Sequence, residues 1–202
     1  MNDSDGLLVD GDKVGERRLG KLLEVDGQFY QIEVARDVAF VKLQRAENVV
    51  LGQVRVPEGI SEFLAFGRNG YFLRKPAKGE FTLPVGQYRI QSWKMARKDA
   101  RGGAWELSAY NFNNSARFTV VDDKPVSLEV GEPMRAALDI QKLAVPRGSK
   151  GPTNQYVFNL RFEGRYGESL QIMNGDQRPP GPRLTLTSLD GSYRYTNTFE
   201  FG

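Results

Sequence analysis

The sequence predicts an all-β protein made of two or three packed antiparallel β-sandwich-like sections. The first observation behind this is period-two alternation. Tyr156, Phe158, Leu160 and Phe162 alternate with Val157, Asn159, Arg161 and Glu163, and Trp105, Leu107 and Ala109 alternate with Glu106, Ser108 and Tyr110. Successive strand side chains point to opposite faces, so each run has a core face and a wetter face. The second observation is the set of turn pairs between such runs: Asp26-Gly27, Asn69-Gly70, Lys78-Gly79, Gly102-Gly103, Asp122-Asp123, Asn174-Gly175 and Asp190-Gly191. That rhythm belongs to an antiparallel sandwich or barrel, not to βαβ units. The third is composition. A chain of 202 residues, 40% hydrophobic and 26% charged, is globular and long enough to bury a core without covalent staples.

The elements follow in order. Residues 1–56 hold an acidic lead-in and a small β section, with strands expected over 21–25, 29–34, 39–44 and 49–56. Residues 57–130 form a second section. Within it 60–66 reads as a strand or a short helical turn, and 86–96 pairs with 104–110 around a tip at 97–103. Trp93 and Trp105 are expected in the core, facing each other across those strands. Gly131-Glu132-Pro133 makes a joint. Residues 131–202 form the third section. Its stretch 132–143 fits a helix with Pro133 in first position. It also fits a strand with Met134, Ala136, Leu138 and Ile140 on one face, and its strand neighbours favour the strand. A loop at 145–153 and a Pro-rich loop at 178–182 flank the remaining runs, among them Leu184 and Leu186 alternating with Thr185 and Thr187.

Two absences exclude whole chemistries. With no Cys and no His there is no thiol nucleophile, disulfide, Cys/His zinc site or Ser-His-Asp triad. No P-loop, dinucleotide fingerprint or nucleophile elbow stands in its required context. The net charge of +3 is too small to argue for nucleic acid by itself. It is uneven, however: residues 1–16 carry −4, which leaves +7 on the rest. No apolar run approaches the length of a membrane span. The opening residues lack the basic and apolar regions of a signal peptide. Met1 as a native start places the chain in the cytoplasm; a cut fragment of a longer protein places it in the periplasm or at the cell surface.

Residues 79–90 read Gly-Glu-Phe-Thr-Leu-Pro-Val-Gly-Gln-Tyr-Arg-Ile. This resembles the strand-turn-strand of prealbumin-like sandwich domains, such as carboxypeptidase regulatory-like and collagen-adhesin B-type repeats. Pro84 stiffens the turn, Gly86 takes a backbone other residues resist, and Tyr88 and Ile90 return to the core. More widely, Leu19-Gly20-Lys21, 25–32, Trp105-Glu106-Leu107, Val130-Gly131-Glu132-Pro133 and 199–202 resemble segments of uncharacterised bacterial envelope proteins. That family places calcium-loop-like aspartates before tandem β-domains. The resemblances imply a prealbumin-like centre, an Ig-like C-terminal section and a non-catalytic exported accessory role.

Four sets of residues are candidate sites. Asp3, Asp5 and Asp12 fall on positions 3, 5 and 12 of an EF-hand-type loop when Gly6 is its sixth residue. Met1 stands where the first ligand belongs, so the stretch reads as a partial calcium loop or as a solvated acidic tail. Arg97, Lys98 and Arg101, in a cationic stretch from Arg89 to Trp105, suit phosphates or acidic sugars, or simply keep a hairpin tip soluble. Tyr110, Asn111 and Asn113 suit sugar hydroxyls, or form a plain turn, and Asn113-Asn114-Ser115 also matches a glycosylation sequon. Carboxylate-pair hydrolysis would need two facing acids, which spacing does not find among the 25 acids of the chain; Glu163, Glu168 and Asp176 read as bystanders, and no catalytic residue is assigned. The expected function is a non-enzymatic binding or interaction module of a larger exported bacterial protein. It needs no cofactor unless calcium, and its partner is a polysaccharide or another envelope protein rather than nucleic acid. A carbohydrate-binding accessory domain is the alternative, and a carboxylate-based hydrolase the third reading.

Overall fold

The computed structural model describes residues 6–7, 17–18, 20–35, 40–113, 116–144 and 155–200. They contain no helix. Asp3, Asp5, Asp12, Asn114 and the loop 145–153 lie outside the described residues. The strands are β1 (Gly6–Leu7), β2 (Arg17–Arg18), β3 (Leu22–Val25), β4 (Gln28–Val34), β5 (Val41–Arg45), β6 (Leu51–Arg55), β7 (Ile60–Gly67), β8 (Gly70–Arg74) and β9 (Glu80–Pro84). They continue as β10 (Gly86–Lys98), β11 (Ala104–Tyr110), β12 (Arg117–Val120), β13 (Val126–Ser127), β14 (Arg135–Leu143), β15 (Gln155–Glu163), β16 (Ser169–Asn174), β17 (Arg183–Thr187) and β18 (Arg194–Thr198). Of the two stretches with an open helical reading, 60–66 lies within β7, and 132–143 is strand from Arg135 onward. The β-branched and aromatic content of β7 and the alternation of β14 against strand neighbours outweigh the helical spacing.

The centre is a two-layer sandwich. One layer is an eight-stranded sheet ordered β14-β15-β16-β11-β10-β7-β8, with β12 also paired to β10. The other is the three-stranded sheet β13-β6-β9. Pairing is antiparallel except at β13, which runs parallel to β6 through Val126↔Val54 and Ser127↔Arg55. The long strand β10 organises the first layer. Its N-terminal end pairs with β12 from Gly86↔Val120 to Arg89↔Arg117, and its C-terminal end with β11 from Trp93↔Ala109 to Lys98↔Ala104.

Alternation now reads out as burial. Tyr88, Ile90, Trp93 and Met95 of β10 face inward against Phe63, Phe118, Val54 and Leu83 in one buried cluster. Phe63 and Phe81 bridge the two layers with ring centroids 5.1 Å apart. Each such side chain contributes roughly 1.5–3 kcal/mol through removal from water. The expected Trp93–Trp105 pair does not form. The register sets Trp93 opposite Ala109 and Trp105 opposite Arg97, four residues further along β10. Trp93 is core, while Trp105 is half-buried and bonded elsewhere.

Pairing crosses both section limits drawn from the sequence. β6 joins β9 through Leu51↔Pro84 to Arg55↔Glu80, and β16 joins β11 through Trp105↔Asn174 to Tyr110↔Ser169. Leu170 of β16 sits in the same buried cluster as Phe63. At the other end the sheet β3-β4-β5 docks through Leu22 N–H to the Asn69 carbonyl at 2.8 Å. The Arg74–Glu24 ion pair at 2.6 Å and an edge-on Phe29–Phe72 contact support it. No helix among the described residues is long and apolar enough to cross a membrane.

Candidate functional site

The sequence of β15 and β16 reads as an ordinary hairpin, but the two strands separate almost at once. The turn 164–168 closes normally: Gly164 N–H bonds the Glu168 carbonyl at 3.0 Å. Arg165 clamps it to the joint, reaching Glu129 at 2.6 Å and the Glu132 carbonyl at 3.1 Å. Beyond it the ladder holds the single pair Glu163↔Ser169. On its far side β15 stays paired to β14 along the whole length Arg135–Leu143, and β16 stays paired to β11. The sheet is therefore forked, and two strand edges face one another across a gap.

A cleft of about 620 Å³ opens there. Phe158, Leu160 and Phe162 line one side, and Leu170 and Ile172 the other. The Pro-rich loop and Phe199 form the outer wall. That wall is held by the Phe199 N–H, which bonds the Pro182 carbonyl at 2.9 Å. The loop comes so close that a Cβ on Gly181 would meet the Phe199 carbonyl oxygen at 1.8 Å, so this position must be glycine. Tyr110, Asn159 and Gln171 add polar groups, and Arg161 adds a cation. The volume lies in the range of small-ligand sites, which are mostly apolar with a few placed polar groups.

The residues singled out from the sequence distribute as follows. Tyr110 reaches the cleft and is 41% exposed. Asn111 takes a left-handed backbone, φ 57°, where β11 ends. Asn113 is exposed, and its carbonyl accepts the Ala116 N–H at 3.3 Å. The cationic hairpin tip does not gather its charges. Arg97 and Lys98 are consecutive in β10 and point to opposite faces. Arg97 is engaged with Glu132 at 3.3 Å, and Arg101 stands in the turn with its N–H on Asp99. The tip's defining residue is Asp99, which spacing did not single out. One carboxylate oxygen accepts the N–H groups of Arg101 and Gly103 at 2.8 Å each, and the other accepts Trp105 Nε1–H at 3.0 Å. These bonds, that from Trp105 first, hold its carboxyl below the usual range.

No known family model, curated protein or solved structure matches this chain.

Glu163 takes Arg135 at 2.6 Å and Arg161 at 3.5 Å. Arg135 foremost holds its carboxyl low, the reverse of what a general acid needs. Glu168 is fully buried. Its Oε2 accepts the Tyr166 N–H at 2.8 Å and its Oε1 has no hydrogen-bond partner. Asp176 is exposed in the turn after β16. Among the described residues no group of three or more acids is placed to hold a metal ion. The cleft itself was missed by sequence reading. The only signals that bear on it are the Pro-rich loop and an alternation in β15 that keeps three large apolar residues on one face.

Proposed function

We propose that this chain is a non-enzymatic binding module that takes an extended polypeptide segment into the cleft between β15 and β16. The observation that carries this reading is the fork in the sheet, with one ladder pair and then two facing strand edges over an apolar floor. An extended segment adds to such an edge through main-chain hydrogen bonds and seats alternate side chains between the strands. In this reading the chain works within a larger exported bacterial protein and the segment belongs to another envelope protein. That setting rests on the resemblances of 79–90 and of the scattered envelope-protein segments. No cofactor enters the mechanism.

A second reading, a carbohydrate-binding accessory domain, is favoured by Tyr110 standing beside the amides of Asn159, Gln141 and Gln171. One experiment separates the two. A random extended-peptide library and an array of anionic and neutral glycans are screened in parallel, and hits are mapped by backbone amide shifts. The peptide reading expects shifts confined to 158–162 and 169–172 and loss of binding in Leu160→Arg. Glycan hits that depend on Tyr110 with no peptide hit establish the second reading. Hits in neither screen, or hits that Leu160→Arg leaves intact and that map elsewhere, overturn both.

A further inference from the structure

The outer face of the central layer carries two arginines where alternation would suit any polar residue. Arg89 of β10 and Arg117 of β12 are direct cross-strand partners. In an antiparallel pair opposed residues share a face, with Cβ atoms roughly 4.5–5.5 Å apart, and like charges set opposite each other are destabilising. Yet neither arginine takes part in an ion pair among the described residues. The carboxylates of neighbouring strands are already engaged, Glu62 with Lys94 at 2.8 Å and Glu24 with Arg74 at 2.6 Å.

The pair is also built in, not merely exposed. Arg89 lies over the Phe66 ring at 4.9 Å from its centroid, and Tyr71 meets Phe66 edge-on at 6.2 Å. Phe66 is the partner of Arg89 on β7, and Tyr71 the partner of Phe66 on β8. One row therefore runs Tyr71, Phe66, Arg89, Arg117 across four strands. The Phe66 ring flanks the guanidinium of Arg89. Nε of Arg89 is shielded from solvent and has no hydrogen-bond partner among the described residues. Arg117 beside it is exposed. A planar cation flanked by an aromatic ring, with an exposed cation at its side, is suited to multidentate recognition of an oxyanion.

We infer that Arg89 and Arg117 form a seat for a doubly charged oxyanion, a phosphate monoester, on the face of the sheet formed by β8, β7, β10 and β12. Charge complementarity selects this class. Two guanidinium groups without an ion-pair partner among the described residues carry two positive charges, and a phosphate monoester carries about −1.5 to −2 at neutral pH with three strong acceptor oxygens. The seat is separate from the β15–β16 cleft, and the fate of either site leaves the other untouched.

The test is a titration of the intact chain with phenyl phosphate, read on the arginine Nε–H resonances at constant ionic strength. Benzoate, the same ring with a single charge, is run beside it. The seat predicts saturable shifts at Arg89 and Arg117, weaker binding of benzoate, and binding about tenfold or more weaker in Arg117→Gln. That loss is the one expected for a hydrogen bond to a charged group. Arg117 is exposed, so its variant keeps the fold even if Arg89→Gln does not. Arg97→Gln, at the hairpin, is expected to bind as the parent chain does. The inference is overturned by an absence of saturable shifts, by equal binding of benzoate, by an undiminished response in Arg117→Gln, or by an equal loss in Arg97→Gln.

Discussion

Trp105 Nε1 donates a hydrogen bond to Asp99 at 3.0 Å, joining the tip of the β10–β11 hairpin to the second residue pair behind it, Arg97↔Trp105. With two further N–H donors on the same carboxylate, this is an acid-labile clasp. The folded value of Asp99 lies below the ordinary one, so its contribution is complete above the unfolded value of about 3.9 and is lost as pH falls through the folded value. The two indole N–H resonances report it separately. The Trp105 signal should move on acid titration and in Asp99→Ala at neutral pH. The Trp93 signal, from the core, should stay in place under both. Because the clasp is exposed, the melting temperature of Asp99→Ala should change little.

Tyr88 predicts an effect at the other end of the scale. Its hydroxyl donates to the Pro84 carbonyl at 2.7 Å, and Asn69 Nδ2 reaches the Val85 carbonyl at 2.8 Å beside it. Burial pushes the hydroxyl up to about 12. A folded value above the unfolded one of about 10 favours the neutral form. The contribution of Tyr88 is therefore full below pH of about 10 and fades as pH rises toward about 12. Tyr88→Phe leaves the Pro84 carbonyl without its donor and should cost about 1–3 kcal/mol at neutral pH. Urea unfolding of both chains across that window should show the gap between them closing.

The motif that contains Tyr88 was legible because its requirements are local. Pro84, Gly86 and Tyr88 lie within five residues, and the same local logic gave the strands around Trp105 and Tyr156. The fork between β15 and β16 was not legible. The turn 164–168 closes as an ordinary hairpin, and nothing local to it marks that Phe162 and Leu170 part instead of pairing; the separation shows only in the tertiary arrangement of β14, β15, β16 and β11. The Trp93–Trp105 expectation failed for a related reason. Alternation places both on one face, but register sets them four residues apart. Arg117 escaped notice because it lies far from Arg89 in the chain and meets it only through strand pairing.

Gly164 and Glu168 should behave as one unit. A Cβ on Gly164 would lie 2.3 Å from Oε1 of Glu168, which is buried and unpartnered. Gly164→Ala must displace that carboxyl, and a loss of about 1–3 kcal/mol is expected, the usual scale of overpacking. In a Glu168→Ala background the obstacle is gone, so adding Gly164→Ala should lose much less. A double-mutant cycle read by denaturant unfolding measures this coupling. Additive losses would show that the contact is not what makes position 164 a glycine. Glu168→Gln tests the charge alone. A neutral amide in place of a buried carboxylate with an unbonded oxygen should leave stability unchanged or raised.

The last prediction concerns how many cooperative units the chain contains. The buried cluster draws on Val54 of β6, Phe63 of β7, Trp93 of β10 and Leu170 of β16, so both outer sections contribute strands to the central core. If one core governs, truncating it anywhere must destabilise every part. Phe63→Ala removes a ring that is 0% exposed and touches both layers, and should lose about 3–5 kcal/mol. Its loss should shift the Trp93 fluorescence transition and the far-ultraviolet β signal to the same lower urea concentration. Ile140 is equally apolar but 53% exposed on β14, so Ile140→Ala should stay within about 0.5 kcal/mol of the parent. Two separate transitions in Phe63→Ala, with the later one unmoved, would mean that β14 to β18 hold together without the sandwich. Leu170 would then be a contact between units rather than a member of a shared core.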